Sequence, residues 1–356
     1  MDRVYLDHNA TTPLRPEARA AMLEAMDMLG NPASVHAEGR IAKGVLEAAR
    51  VQVADLVGCA PAEVVFTSGA TEAARVLSAL PVGHSVFVDP TAHDALLVHA
   101  KQSDAAGPVG ATLAMGVANS ETGLISPLPL RDENEWCFGA QRAKWLLLDV
   151  TQSVGRIGFD FAASGADFAV LSAHKLGGPK GVGALIIRQG LEIKALAEGG
   201  GQEMGRRSGT ENSIGIAGFG AACAAAARDI QDGRWEEIKE LRKILENALA
   251  AATKTTIFVG KGKPRLPNTL CMVTPGWKGE AQVIQMDLAG FAISAGSACS
   301  SGKVRASTVL TAMGYDEATA SCAIRVSLGL ETTKEHVHRF AETWLAKEAK
   351  FRARAA

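Results

Sequence analysis

Apolar and polar positions alternate along the first two thirds of the chain in short blocks that predict helices and strands in turn. Residues 41–56 place apolar side chains three and four positions apart, as an amphipathic helix requires, and Gly58 ends that pattern. Short apolar runs over 63–67, 144–149 and 166–171 predict buried strands. Helices that alternate with buried strands favour an α/β fold, with a mostly parallel sheet covered by helices on both faces.

From Trp235 the pattern changes to a charged amphipathic helix over 236–249, followed by a mixture of strands and helices. This change indicates a second, smaller α+β domain. We predict a large domain over 15–250 and a small domain formed by 1–14 and 251–356.

Composition and charge narrow the functional class. The 356 residues are 47% hydrophobic and 21% charged, which is the balance of a globular protein. The formal net charge is −1, so no strong field is available to attract nucleic acid or an anionic membrane. No apolar signal segment opens the chain. The six cysteines form no C-x-x-C pair, and this spacing argues against a disulfide framework and a structural zinc site. We expect a cytoplasmic protein that binds neither nucleic acid nor membrane.

A lysine in a glycine-rich turn is the first candidate for chemistry. Lys175 lies in SAHKLGGPKG (172–181), directly after a predicted strand, where α/β sheets bind ligands. Such a lysine can form a Schiff base, although a surface lysine in a turn fits this segment equally well. Asp149 ends an upstream buried strand, and a buried carboxylate needs a cationic partner. A pyridinium nitrogen is one such partner, as in pyridoxal phosphate enzymes, and a helix cap is the alternative.

Two further segments carry candidate groups. The turn TSGATE (67–72) joins a strand to a helix and offers a phosphate backbone N–H groups and a positive helix end; an ordinary N-cap by Ser68 is the alternative. Cys299 lies among small and polar residues in ISAGSACSSG (293–302), which are typical of an exposed loop. Its thiol is expected to ionise near its reference pKa of about 8.5 or below, with an incidental surface thiol as the alternative. The other five cysteines are expected to be small buried hydrophobes.

Eight motifs, in order along the chain, resemble those of a cysteine desulfurase of the NifS/IscS-like group. This is a fold-type I pyridoxal phosphate enzyme of the class V aminotransferase superfamily. The motifs are LDHNATTP (6–13), GNPASVH (30–36), FTSGATE (66–72), DVTQSVG (149–155), SAHKLGGPKG (172–181), RRSGTEN (206–212), SAGSACSSG (294–302) and IRVSLG (324–329).

The resemblance implies a role for each matching residue. Lys175 would bind the cofactor, pyridoxal 5'-phosphate, as a Schiff base and later move the substrate Cα proton. Cys299 would attack the sulfur of bound L-cysteine, leaving L-alanine and a persulfide. Around the cofactor ring, His93 would stack on the face as a third catalytic residue, Asp149 would keep the nitrogen protonated, and Gln152 would bind the phenolic oxygen.

The same resemblance implies residues for the phosphate and for the substrate. The phosphate would be held by Gly69, Ala70, Thr71, Ser172, His174 and, from the other copy of a homodimer, Thr210. Arg325, with Asn31 nearby, would hold the substrate carboxylate, a task suited to guanidinium geometry. The resemblance does not separate Arg206 from Arg207.

One departure from the family pattern concerns the cofactor. Ser120 stands where an asparagine usually contacts a cofactor oxygen, so its shorter hydroxyl is expected to reach that oxygen through water. The expected partners are L-cysteine, a second copy of the chain, and an iron–sulfur scaffold or other sulfur acceptor, in iron–sulfur cluster or nitrogenase assembly. Two alternatives stay open: a selenocysteine lyase or other class V reaction, and a non-catalytic sulfur carrier.

Overall fold

The computed structural model describes residues 3–81, 83–101, 110–296 and 306–355. Its strands are β1 (Val4–Tyr5), β2 (Val64–Thr67), β3 (Ser85–Val88), β4 (Ala111–Gly116), β5 (Leu130–Asp132), β6 (Glu135–Phe138), β7 (Gln141–Ala143), β8 (Trp145–Asp149), β9 (Phe168–Ser172), β10 (Gly183–Ile187), β11 (Ile257–Phe258), β12 (Thr269–Val273), β13 (Phe291–Ala292), β14 (Ser294–Ala295) and β15 (Ala323–Ser327). Its helices are α1 (Pro16–Met26), α2 (Ala37–Val57), α3 (Ala70–Ala73), α4 (Asp94–Leu97), α5 (Phe161–Ser164), α6 (Ser213–Gln231), α7 (Arg234–Ala252), α8 (Gly279–Asp287), α9 (Thr308–Ala312), α10 (Glu317–Ala320) and α11 (Lys334–Ala355). Single turns of 3₁₀ helix cover Pro61–Glu63, Ala74–Ser78, Ala173–Lys175 and Glu203–Gly205.

The larger of two compact units comprises 13–117 and 126–231 and contains a six-stranded sheet of order β2-β10-β9-β8-β4-β3. Strand β10 runs antiparallel to both strands beside it, β2 and β9. All other adjacent strands in this sheet are parallel to each other. Alternate residues of β2 enter different apolar clusters, with Val64 and Phe66 in one and Val65 in the other. Both faces of the sheet are therefore covered, because side chains alternate along a strand. The predicted α/β fold class is confirmed.

Helices α2 and α6 pack closely on one side of this sheet. A Cβ on Gly220 of α6 would lie 2.6 Å from the Cα of Ala49 in α2, so glycine permits the approach. Gly58 ends α2 in a left-handed conformation, as the sequence pattern predicts. None of the helices in the described ranges is long and apolar enough to cross a membrane.

The smaller unit contains residues from three parts of the chain, 1–12, 118–125 and 232–356. Its sheet has the order β11-β12-β15-β14 with antiparallel pairing, and β1 pairs with β13 in parallel. The predicted boundary at 250 lies after most of α7, whereas the contacts place α7 in the smaller unit. The reason is that Ile238, Leu245 and Leu249 of α7 are buried in that unit's core. That the large domain binds pyridoxal 5'-phosphate and the small domain carries the catalytic cysteine loop stays a prediction.

Candidate active site

Parallel strands of the larger unit end at one edge of its sheet, and most of the predicted cofactor residues follow these ends. Strand β2 ends at Thr67, β8 at Asp149 and β9 at Ser172. Gly183 at the start of β10 is paired with both Thr67 and Ser172, so those two strand ends flank it. Ligands of α/β sheets bind at this kind of edge.

The turn after β2 leads directly into α3 and is packed tightly on β10. A Cβ on Gly183 would lie 2.6 Å from the Cα of Gly69, whereas a Cβ on Gly69 would meet only the hydroxyl of Ser172, at 3.6 Å. Ala70 and Thr71 follow as the first residues of α3, with Thr71 exposed. Backbone N–H groups at a helix start, beside a serine hydroxyl, are groups that bind phosphate.

Glu72 connects this turn to a distant arginine. Its Oε2 accepts the N–H of Ser68 at 2.7 Å, and its Oε1 accepts from Nε of Arg207 at 3.0 Å. Burial would raise the pKa of Glu72, but the bonds from Arg207 and Ser68 outweigh burial and hold it below its usual value. Arg206 instead donates to the carbonyl of Ala62 at 3.1 Å. The two neighbouring arginines therefore differ in their partners, and Arg207 is the one bonded to Glu72 in the helix that follows the turn.

The turn after β8 holds an amide and a guanidinium in buried positions. Arg156, 4% exposed, donates from Nη1 to the side-chain oxygen of Gln152, which is 6% exposed. Its Nη2 donates to the carbonyl of Lys175 at 3.2 Å. Because the amide oxygen of Gln152 accepts from Arg156, its NH₂ group is the end suited to bind a ligand oxygen. At the end of β8, Asp149 Oδ1 accepts the N–H of Thr151 at 2.9 Å.

Two histidines near the sheet edge differ in exposure. His93 is exposed and caps α4, with Nδ1 accepting the N–H of Ala95 at 3.1 Å. A neutral His93 therefore carries its proton on Nε2. His174 is half-buried, and burial lowers its pKa to about 4, together with the positive charges of Lys175 and Arg156. His174 is uncharged at neutral pH, so it can offer a phosphate one N–H donor and no charge.

The predicted carboxylate-binding residue belongs to the smaller unit. Arg325 lies in β15, is 4% exposed, and pairs through Nη2 with Oδ1 of Asp7 at 2.8 Å. Its Nη1 donates to the backbone carbonyl of Ser120 at 3.1 Å, and Ser294 donates to the second oxygen of Asp7 at 2.8 Å. The Nε of Arg325 is buried with no hydrogen-bond partner in the described ranges. Asp7 and Ser120 thus fix the guanidinium plane with two of its five N–H groups, and the Nε–H is among those they do not use.

The remaining predicted contacts lie on exposed segments of the larger unit. Asn31 is exposed, and its Oδ1 accepts the N–H of Ala33 at 2.9 Å. Thr210 is also exposed, in the segment after Glu203. Glu203 is buried and accepts from both Nη atoms of Arg50, at 2.8 and 2.9 Å, which anchors the start of that segment to α2. The roles of Asn31 and Thr210 stay predictions.

Cys299 lies outside the described residues, so its expected exposure stays a prediction. Burial raises the pKa of Cys59 and Cys271 to about 12 and raises that of Cys223 as well. Protonated thiols of this kind are poor nucleophiles. The expectation of buried cysteines is confirmed for Cys223, Cys271 and Cys322, whereas Cys59 and Cys137 are only half-buried.

Comparison of the sequence and fold with known proteins identifies the family of this chain. The profile of the aminotransferase class-V family matches residues 4–112 and 110–340. The chain belongs to the class-V aminotransferase family. A cysteine desulfurase from Frankia sp. (strain EuIK1) is 38% identical to this chain, over 95% of this chain and 90% of its own length. A cysteine desulfurase from Cereibacter sphaeroides is 37% identical, over 96% of this chain and 95% of its own length. A NifS-like protein of solved structure from Rickettsia africae ESF-5 has a TM-score of 0.84 at 29% identity, covering 97% of this chain and 99% of that chain.

The resemblance to cysteine desulfurases and the enzyme class predicted from the sequence are thereby confirmed. Sequence reasoning did not single out Asp7, Glu72 or Arg156 in this class-V aminotransferase. Each lies within or directly after a motif that carried the resemblance. These residues could have been found because each is a charged residue next to a buried strand. A charged group in such a position needs a partner of opposite charge or a set of hydrogen bonds.

Proposed function

We propose that the protein is a pyridoxal phosphate-dependent cysteine desulfurase. It removes sulfur from L-cysteine, releases L-alanine and holds the sulfur as a persulfide on Cys299. One observation carries the proposal: the sheet edge that ends in Asp149 also presents Lys175 and the turn 67–71. An amine, a carboxylate and a set of backbone N–H groups match the aldehyde, the ring nitrogen and the phosphate of pyridoxal phosphate.

The residues present fit this cofactor in chemistry as well as in placement. Gly69 leaves a space bordered by the Ser172 hydroxyl, which suits a phosphate oxygen. Arg156 donates to the oxygen of the Gln152 amide, so the NH₂ end of that amide is the one whose chemistry matches the phenolic oxygen of the ring. When bound, pyridoxal phosphate supplies an electron sink that stabilises negative charge at the substrate Cα.

The chain's own residues perform the proton and sulfur transfers. Lys175 takes the Cα proton, and Arg156 holds the carbonyl of Lys175 and so fixes the backbone from which this amine extends. The neutral His174 binds phosphate without adding charge. Arg325 and Asn31 would bind the substrate carboxylate, and His93 would stack on the ring.

Sulfur leaves the substrate by attack of the Cys299 thiolate. A sulfur–sulfur bond forms, the Cβ–sulfur bond of the substrate breaks, and its electron pair stays with the carbon, which takes a proton. The balance is L-cysteine plus the Cys299 thiol giving L-alanine plus the Cys299 persulfide. No external oxidant or reductant is needed.

We also propose that the enzyme works as a cytoplasmic homodimer and passes its sulfur to an acceptor such as an iron–sulfur scaffold. Thr210 of the partner subunit then joins the phosphate site of each copy. The support is that Thr210 is exposed on a segment whose start is anchored by the buried pair of Glu203 and Arg50.

The decisive experiment is an absorption spectrum of the purified protein before and after addition of L-cysteine, with alanine and persulfide quantified. A cofactor band that changes with L-cysteine, with alanine released, is expected. Cys299→Ala should keep the band and lose the persulfide, Lys175→Ala should lose turnover, and Cys137→Ala, as a matched control, should behave as wild type.

Two results would replace the proposal. A wild-type protein that is inactive toward L-cysteine, and whose Cys299→Ala variant is active toward selenocysteine, favours the selenocysteine lyase alternative. A colourless protein that pyridoxal phosphate does not reconstitute favours the non-catalytic sulfur carrier.

A further inference from the structure

A tight turn at 119–123 is held rigidly within the smaller unit. Oδ1 of Asn119 accepts the backbone N–H of Glu121 at 3.0 Å and that of Thr122 at 2.9 Å. Gly123 has φ +71°, and a Cβ there would lie 2.6 Å from the Cβ of Thr269, so the turn lies directly against β12. Only glycine allows this conformation and this approach together.

The same turn supports the predicted substrate site. The carbonyl of Ser120 accepts from Nη1 of Arg325 at 3.1 Å and from the side-chain amide of Asn9 at 3.1 Å. The Arg325 guanidinium therefore depends on the turn for one of its hydrogen bonds. This gives the turn a direct connection to the residue proposed to bind the substrate carboxylate.

The side chain of Glu121 makes a second connection, to residues on both sides of the segment that contains Cys299. Its Oε2 accepts from Oγ of Ser307 at 2.5 Å, and Glu121 is 8% exposed. The same Oγ accepts the N–H of Leu310 at 3.0 Å and so caps α9. A Cβ on Gly296 would lie 3.0 Å from Oε2 of Glu121 and 3.0 Å from the Cβ of Ser307.

Gly296 therefore lies close to Glu121 and Ser307, and positions 296 and 307 are on either side of 297–305. Holding two such positions near each other costs loop-closure entropy, which the bond between Ser307 and Glu121 helps to offset. A buried carboxylate is also costly unless it is hydrogen-bonded. Asp316 caps the neighbouring short helix α10 with its own side chain, which accepts the N–H of Thr319.

We propose that Glu121 is a positioning residue for sulfur transfer. Its carboxylate holds Ser307 beside Gly296 and thereby fixes the two ends of the segment that carries Cys299, while Ser120 in the same turn holds Arg325. The inference rests on the proposed function for the role of Cys299. It adds a residue that would act on Cys299 through the two described positions that flank its segment, Gly296 and Ser307.

The test compares Glu121→Ala, Glu121→Gln, Ser307→Ala and Ser307→Thr with Asp316→Ala as a matched control. The control removes an N-cap of the same kind from a neighbouring short helix. Two quantities are measured for each holoenzyme: the rate of persulfide formation on Cys299, and hydrogen–deuterium exchange over 306–314, which needs no turnover.

Glu121→Ala and Ser307→Ala are expected to form persulfide about 10- to 100-fold more slowly, the range for a small misplacement of a reacting group. Their exchange over 306–314 should rise, while the spectral change on adding L-cysteine stays. Glu121→Gln and Ser307→Thr keep an acceptor and a hydroxyl, so both should stay near wild type. Asp316→Ala should leave the persulfide rate unchanged.

Wild-type persulfide rates in Glu121→Ala and Ser307→Ala would overturn the positioning role and leave the proposed function intact. Equal slowing in Asp316→Ala would overturn it too, because any lost cap would then have the same effect. A wild-type protein that forms no persulfide defeats the proposed function. In that case the exchange data decide whether Glu121 holds the segment, and unchanged exchange would reject it.

Discussion

Arg207 and Glu72 form an ion pair of 3.0 Å between residues 135 positions apart, at the start of the helix that follows β2. The side chains are 26% and 17% exposed, so solvent screens the pair less than it screens a surface pair. The second oxygen of Glu72 holds the N–H of Ser68. The pair therefore offsets a negative charge at the place where a phosphate is expected.

Removal of Arg207 should weaken cofactor binding. In Arg207→Met the Glu72 carboxylate stays uncompensated beside the phosphate, and the Kd for pyridoxal phosphate should rise about 10-fold or more, since bonds to charged groups contribute about 1.5 to 3 kcal/mol. The double variant with Glu72→Gln should bind more tightly than Arg207→Met alone. Fluorescence titration of the apoprotein measures both. Arg206→Met is the control, and an equal loss there would contradict the assignment.

Arg156 should contribute to stability through the acceptors that it satisfies. Arg156→Met removes the bonds that the guanidinium donates to the Gln152 oxygen and to the Lys175 carbonyl, at a cost of about 1 to 3 kcal/mol in the free energy of unfolding. Denaturant unfolding of the apoprotein tests this. Arg40→Met, which removes an exposed arginine bonded to the Val35 carbonyl, should change stability by less than about 0.5 kcal/mol. Equal effects of the two substitutions would refute the prediction.

His174 should make folding stability depend on pH in a defined window. Its pKa is about 4 in the folded protein, against 6.5 without the fold, so between these values the unfolded chain binds the extra proton. Stability from this group is fully present above pH 6.5 and is lost as the pH falls toward 4. His174→Asn should lack this part of the slope. Urea unfolding of both proteins at pH 7 and pH 5 measures it, and identical slopes would disprove it.

Gly183 should tolerate no side chain. A Cβ there would lie 2.5 Å from the carbonyl oxygen of Leu171 and 2.6 Å from the Cα of Gly69. Gly183→Ala should cost about 1 to 3 kcal/mol through overpacking and should weaken cofactor binding by displacing the turn. Gly44→Ala is the matched control, because it lies within α2 with open space around it. That substitution should stabilise the protein by about 0.5 to 1 kcal/mol.

The elements of the larger unit were predictable where a local pattern determines them. The three-and-four spacing before Gly58 marked α2, and apolar runs marked the strands that are buried on both faces. The small antiparallel sheet formed by β5, β6 and β7 was missed. Its first strand is wholly exposed, so no apolar period marks it, and Glu133 and Asn134 adopt positive φ in its turn without a glycine.

In the candidate site, too, the residues set by local pattern were predictable and their distant partners were not. Asp149 and Ser172 end strands and Lys175 follows one, and strand ends can be located from the sequence. The partners of Glu72 and Arg325 could not be located in that way. Arg325 and Asp7, for example, are 318 positions apart, and the packing of the folded chain alone selects that pairing.

The order of chain segments in the smaller unit has a consequence for synthesis. Val4 pairs with Phe291, and Asp7 forms a bridge with Ser327, so residues 4–7 find partners that are synthesised much later. The larger unit is complete in sequence at 231. During translation it can therefore close its core before residues 4–7 find their partners, because those partners follow only at 291–327.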